Sequence, residues 1–199
     1  MVHGKTGLRP GETAGKLFYL ARPATGGMRE HLFSLLSYFA ASYPTCLASP
    51  AGGGMETLLT FPGSNFFQLS LSGEISPVSD LHAFWQLYRT LRFYRPPLLH
   101  IHGFKAVAVG LPAARLARVP VVITAHNFLA HRWRKALPFL LRAAQGKETQ
   151  FIAISRAIFD ELTGWGILPR QISLIYNGID PAPYEKVARG RERHFSDNP

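Results

Sequence analysis

His100 and His102 lie two apart in Leu98-Leu99-His100-Ile101-His102-Gly103. On an extended strand that spacing puts both imidazoles on one face. A third imidazole, His126, follows the β-branched run Val121-Val122-Ile123-Thr124 and precedes Asn127. Three imidazoles are in principle enough for zinc. The carboxylates that usually orient such ligands are missing, however, since no Asp or Glu occurs between Asp80 and Glu148. No metal is therefore expected, and His100 is expected to be hydrogen-bonded and partly buried. His126 should project from a strand end, where an imidazole can donate to a developing negative oxygen or hold a substrate hydroxyl. A capping role for the following helix is the alternative.

Gly26-Gly27 joins one apolar run to an amphipathic one. Without side chains in the way, backbone N–H groups there could face a phosphate. The same pair also suits a turn that merely needs positive φ. It is neither G-x-G-x-x-G nor followed by Gly-Lys-Ser/Thr, so dehydrogenase and P-loop chemistry lose ground. G-x-S-x-G is absent, and paired carboxylates are lacking in the loops that follow the apolar runs. Cys46 lies in a core strand, where a thiol is inert. Small and polar residues instead follow one apolar run after another: Gly26-Gly27, His102-Gly103, His126-Asn127, Ser155 and Asn177-Gly178.

The elements that must position them alternate. Leu17 to Ala21 reads as a buried strand, and Met28, Leu32, Leu35, Leu36 and Phe39 recur at helical spacing up to Tyr43-Pro44. Thr45 to Ala48 reads as a strand, with weaker strands at Met55 to Thr60 and Phe66 to Leu71. A helix after Pro77 runs to Pro96-Pro97. Then follow a strand at Leu98 to Ile101, a helix at Lys105 to Ala117 that contains Pro112, a strand at Val121 to Thr124 and a basic helix at His131 to Ala144. A strand at Phe151 to Ile154, a helix at Ser155 to Leu162 with Ser155 as N-cap and Gly164 at its end, and a strand at Ile172 to Ile175 complete the series. Strands alternating with helices imply an α/β fold, a Rossmann-like parallel sheet with helices on both faces. In such a sheet, ligands bind beyond the carboxyl ends of the strands, where the polar residues collect.

The 199 residues, 47% hydrophobic and 17% charged, suit one medium globular domain. Residues 1–15 read as a flexible leader, 16–180 as the domain and 181–199 as a linker or tail. One cysteine excludes a disulfide framework, and no membrane span or signal peptide is recognisable, so a cytoplasmic location is expected. The net charge is +10, and eleven Lys or Arg with no acid lie between Leu81 and Lys147, which favours an anionic partner. Within His131 to Arg142, the cations Arg132, Arg134 and Lys135 alternate with Trp133, Leu137 and Phe139, as in helices that lie on an anionic membrane surface. An ordinary solvated face is the alternative. No nucleic acid is expected, because no recognition motif accompanies the charge.

From Lys16 to Asp180 the sequence resembles the N-terminal domain of family 4 glycosyltransferases of the two-domain GT-B fold. The resemblance rests on Arg22-Pro23-Ala24-Thr25-Gly26-Gly27-Met28 with His31 after it, Leu99-His100-Ile101-His102-Gly103, Pro120-Val121-Val122-Ile123-Thr124-Ala125-His126-Asn127, Phe151-Ile152-Ala153-Ile154-Ser155 and Ile175-Tyr176-Asn177-Gly178-Ile179-Asp180. It implies a single GT-B half-domain that takes part in retaining transfer of a sugar from a nucleotide-sugar, the donor substrate, to a glycan or lipid-linked acceptor. No cofactor and no catalytic metal are implied. Gly26 and Gly27 would face the donor diphosphate, and His126 would act beside the transferred sugar. His102 and Gly103 would line the cleft floor, with Asn127, Ser155, Asn177 and Gly178 on the acceptor side.

Such enzymes place the donor nucleotide on a second domain, and nothing comparable follows Asp180; Glu185 and Glu192 stand in a polar tail. Half a cleft cannot supply the geometry of transfer. The expectation is a chain inactive alone, with a donor-domain chain and an anionic membrane surface as further partners and a cell-envelope or polysaccharide precursor as acceptor. A non-catalytic protein that keeps the fold and docks on a membrane or a partner is the alternative.

Overall fold

The computed structural model describes residues 15–52, 54–71, 76–126 and 136–178. Seven strands, β1 (Leu17–Ala21), β2 (Thr45–Ser49), β3 (Asn65–Gln68), β4 (Leu98–His102), β5 (Val121–Ala125), β6 (Thr149–Ala153) and β7 (Ile172–Leu174), form one sheet in the order β3-β2-β1-β4-β5-β6-β7. Every neighbouring pair is parallel. The helices are α1 (Gly27–Ala40), α2 (Pro77–Tyr94), α3 (Phe104–Ala117), α4 (Ala136–Ala144) and α5 (Arg156–Gly164).

Strand alternation divides the core in two. Phe18, Leu20, Cys46, Ala48, Leu99, Ile101, Val121, Ile123 and Ala125 face one side, where they meet buried residues of α2, α3, α4 and α5. Tyr19, Ala21 and Leu47 face the other, against Leu32 and Leu36 of α1. Each fully buried Leu or Phe in these layers contributes roughly 1.5–3 kcal/mol. On β4 the alternation sends Leu99 and Ile101 into the larger cluster and leaves His100 and His102 on the α1 side, tilted against and stacked beside Tyr19 at ring distances of 5.6 and 6.2 Å respectively. Burial raises the Tyr19 phenol above its ordinary value and pushes the Cys46 thiol up to about 12, so neither ionises near neutrality.

Two readings of the sequence need correction, at Met55 and at Lys105. Met55 to Thr60 is not a strand: a 3₁₀ turn spans Glu56–Leu58, and buried Met55 lies under the loop after β1, where its Sδ accepts from the Ala24 N–H at 3.4 Å. Pro112 lies inside α3, as the sequence predicts. Helix α5 ends at Gly164, as the sequence predicts, and Gly166, at φ 84°, takes the left-handed conformation just beyond it. Lys105, one of the eleven basic residues between Leu81 and Lys147, is buried and paired with Asp80 rather than open to an anionic partner.

Candidate active site

All seven strands are parallel, so every loop after a strand opens on one rim of the sheet. Successive strands β1, β2 and β3 run outward on one side, and β4 to β7 run outward on the other. The order reverses between β1 and β4, the place where a crevice opens in doubly wound sheets. Gly26-Gly27 follow β1 and His102-Gly103 end β4, so both flank this point. His126 follows β5, one strand further on.

The imidazoles meet there. In β5, Val121, Ile123 and Ala125 face the larger cluster, which turns Thr124 and His126 to the same side as His100 and His102. His100 Nε2 and Thr124 Oγ1 are 2.7 Å apart, and His102 Nδ1 and His126 Nε2 are 3.0 Å apart. His31, one turn into α1, brings its ring within 5.1 Å of that of His126 and 5.9 Å of that of His102. Burial keeps the group neutral. It holds His102 well below the ordinary histidine value, His100 at about 3 and His126 at about 4, and it lowers His31. Mutual repulsion among the imidazoles adds to the effect at His100, His102 and His126. His126 does not project freely from the strand end: its Nε2 is engaged with His102, and its Nδ1 is buried without a partner among the described residues. Nδ1 is thus the one atom left for a sugar hydroxyl, and the neutral ring brings no fixed positive charge.

Positive potential comes instead from helix ends. Gly26 is the N-cap of α1 at φ 58°, ψ −142°, and Gly103 is the N-cap of α3 at φ 86°, ψ 148°. Both are conformations that favour glycine, and at neither does a side chain cap the helix. Two uncapped helix starts therefore flank the crevice, each able to present N–H groups to an anion. Their positions are braced. A carbon added to Gly103 would stand 4.0 Å from Met28 Sδ of α1. Arg29 donates to Gly54 O at 3.0 Å and to Thr57 Oγ1 at 2.9 Å, tying α1 to the loop ahead of β3. Lys105 in the first turn of α3 donates to Asp80 Oδ1 at 2.7 Å, tying α3 to α2.

The sequence-derived site residues thus separate into groups. Gly26, Gly27, His102, Gly103 and His126 converge at the switch point. Ser155 follows β6 on the same rim, about 10 Å from β4 by strand spacing. Its hydroxyl is engaged as the α5 cap, accepting from Ile158 N–H at 3.3 Å. Asn177 and Gly178 follow β7 at the sheet edge, and Asn177 Oδ1 is buried with no hydrogen-bond partner among the described residues. Asn127, Arg132, Arg134 and Lys135 lie outside the described residues. His31 belongs to the site although the strand-end pattern did not select it. In the sequence it stands only among the residues that carry the family resemblance, four residues after Gly27, which puts it one turn above the helix start.

Comparison with known proteins matches these elements. The sequence profile of Glycosyltransferase Family 4 matches residues 25–183. The UDP-Gal:alpha-D-GlcNAc-diphosphoundecaprenol alpha-1,3-galactosyltransferase of Escherichia coli is 28% identical over 130 residues, covering 58% of this chain and 32% of the relative. The crystal structure of Anabaena Alr3699/HepE in complex with UDP and glucose superposes with a TM-score of 0.65 at 21% identity, over 90% of this chain and 50% of that one. A glycosyltransferase from Rickettsia africae superposes with a TM-score of 0.68 at 14% identity, over 92% and 50%. The chain thus spans about a third of the curated relative and half of these structures, whose shared fold is the GT-B architecture. With the profile running from the turn after β1 to beyond β7, through every strand end that carries the histidines and glycines, the chain belongs to glycosyltransferase family 4.

Proposed function

We propose that this chain forms the acceptor-side wall of a retaining glycosyltransferase. The donor is a nucleotide-sugar, and the acceptor is a lipid-linked or glycan precursor of the cell envelope. In the transfer, the bond from the anomeric carbon to the diphosphate oxygen breaks and a bond to the acceptor oxygen forms, with configuration kept, while the proton of the acceptor hydroxyl passes to the departing diphosphate oxygen. The two uncapped helix starts at Gly26-Gly27 and Gly103 receive the diphosphate, whose charge grows as it departs. The neutral His126 holds a hydroxyl of the transferred sugar or of the acceptor. Residues 16–180 make the domain, and a donor-binding half supplies the other wall, so that these residues alone do not turn over. Work takes place on the cytoplasmic side, at the membrane surface where a lipid-linked acceptor resides; the exposed Phe139 on α4, next to the basic run, supports that placement.

The observation that carries this reading is the joining of His126 to His102 at the switch point, between helix starts that can take an anion. The named substrate of the Escherichia coli relative, a GlcNAc-diphosphoundecaprenol, supports the lipid-linked acceptor. To test it, the chain is combined with the donor-binding half of a family member and assayed with UDP-galactose and UDP-glucose on a GlcNAc-diphospholipid. Transfer is expected only with both halves and is expected to fall at least about a hundredfold in His126→Ala. Turnover by the chain alone, or full activity of the variant, would overturn the reading.

A further inference from the structure

The crevice lies at the carboxyl ends of the strands, and the opposite rim of the sheet carries a second concavity. Helix α2 ends at Tyr94 just ahead of β4, and α3 ends at Ala117 just ahead of β5, so both helix C-termini lie at the amino ends of these neighbouring strands. A cavity of about 500 Å³ opens there, with Arg92, Arg95 and Arg118 in its wall beside Pro96, Leu116 and Val119. Small-molecule sites are of this size. Among the described residues, two non-glycine residues take positive φ, Arg95 at 44° and Arg118 at 59°, and both stand in this wall. Side chains are disfavoured in that conformation, and glycine is the usual residue just past a helix. Backbone alone makes both turns: Arg95 N–H donates to Leu91 O at 2.8 Å, and Val119 N–H donates to Ala114 O at 2.9 Å. The turns do not need arginine. Among the described residues, none of the three guanidiniums has a hydrogen-bonded or ion-paired partner. Helix C-termini attract cations, but each carries only about half a negative charge, so three guanidiniums leave the cavity positive by about two charges.

We propose that this cavity binds a phosphate-bearing small molecule, at a site separate from the crevice where the sugar is handled. Planar guanidinium forks match phosphate oxygens in pairs, and three of them can hold one phosphate or both phosphates of a diphosphate. Pro96, Leu116 and Val119 form an apolar side against which the organic part of such a ligand can rest. The concave shape admits a small ligand, whereas a membrane surface would reach only its rim. Two arginines held at disfavoured backbone angles in one wall are strain of the kind that persists at ligand sites.

The test titrates inorganic pyrophosphate into the full 199-residue chain by calorimetry at neutral pH and low salt, alongside Arg95→Gly and Arg118→Gly. Glycine relieves the positive φ, so the urea midpoints of both variants should equal or exceed that of the parent, and lost binding then does not reflect unfolding. Saturable binding is expected, at least about tenfold weaker in each variant. Arg170→Gln, which removes a cation ahead of β7 on the same rim, should bind as the parent does. Dependence on Arg95 and Arg118 separates this binding from any at the helix starts of the crevice. Co-sedimentation with phosphatidylglycerol vesicles distinguishes a lipid headgroup from a soluble ligand. Vesicle binding that both variants lose, with no saturable pyrophosphate binding, would overturn the proposal in favour of a membrane contact. Pyrophosphate binding that is absent in the parent, or unchanged in both variants, would overturn it as well.

Discussion

His102 Nδ1 and His126 Nε2 face each other at 3.0 Å across neighbouring parallel strands, and both rings are neutral at physiological pH. One must donate its N–H while the other accepts, so the tautomer of the cleft-side ring is coupled to that of a ring with no access to solvent. Replacing His126 by Ala leaves both nitrogens of buried His102 without a partner among the described residues. A loss of about 1–3 kcal/mol in urea unfolding is expected. His126→Gln, whose amide can reach the same nitrogen, should recover part of it. Equal stability of parent and His126→Ala would show that the pair contributes nothing to the fold.

Stability should fall in mild acid. His100 is held at about 3 and His126 at about 4, against an ordinary 6.5, and His102 lies well below it. Below pH 6.5 the unfolded chain takes up protons that the folded chain refuses. The folded state is therefore fully favoured above that pH and loses ground as pH drops toward 4. Each such histidine contributes a slope of about 1.4 kcal/mol per pH unit within that window. Urea midpoints measured from pH 7 down to 4 in about unit steps should decline steadily. A flat profile over that range would contradict the buried neutral cluster.

Much of this arrangement was legible in the sequence, because periodicity depends on neighbours along the chain. The i, i+2 spacing of His100 and His102 fixed their common face, and the Ser155 hydroxyl three residues before the Ile158 N–H marked its cap. What depended on distant contacts was not legible. His31 reaches His126 only through the packing of α1 on the sheet, across a separation in sequence that no local pattern records. Met55 was read as strand because its apolar neighbours resembled one, whereas its role is to fill space under Ala24. The eleven basic residues favour an anionic partner on charge alone, and Lys105 does not belong to that surface because its partner Asp80 stands 25 residues away on another helix.

That pair gives a third prediction. Lys105 is 5% exposed and Asp80 21%, and the Asp80 carboxylate also accepts from Ser76 N–H at the start of α2. Asp80→Asn leaves a buried ammonium short of its counter-charge, and a loss of about 2–3 kcal/mol is expected, below the full cost of breaking a completely buried pair. The double variant Asp80→Asn with Lys105→Met removes both charges and should lie closer to the parent than Asp80→Asn alone. A double-variant cycle in urea measures the coupling, and strict additivity of the two changes would deny it.

The adjacent glycines at the start of α1 should respond in opposite ways. Gly26 sits at φ 58°, ψ −142°, where side chains are strongly disfavoured, although nothing stands within 4 Å of an added carbon. Gly26→Ala is therefore expected to cost about 1–3 kcal/mol through the backbone alone. Gly27 is the first residue of the helix, has no positive φ and also faces open space. Gly27→Ala should leave the fold unchanged or stabilise it by up to about 1 kcal/mol, because alanine loses less freedom on entering a helix. The open space in front of Gly27 is where the proposed diphosphate approaches, so the added methyl should still lower transfer in the two-half assay. A variant more stable than the parent yet slower in transfer separates a ligand-facing glycine from a turn-forming one. Unimpaired transfer by Gly27→Ala would assign the second glycine to the turn alone.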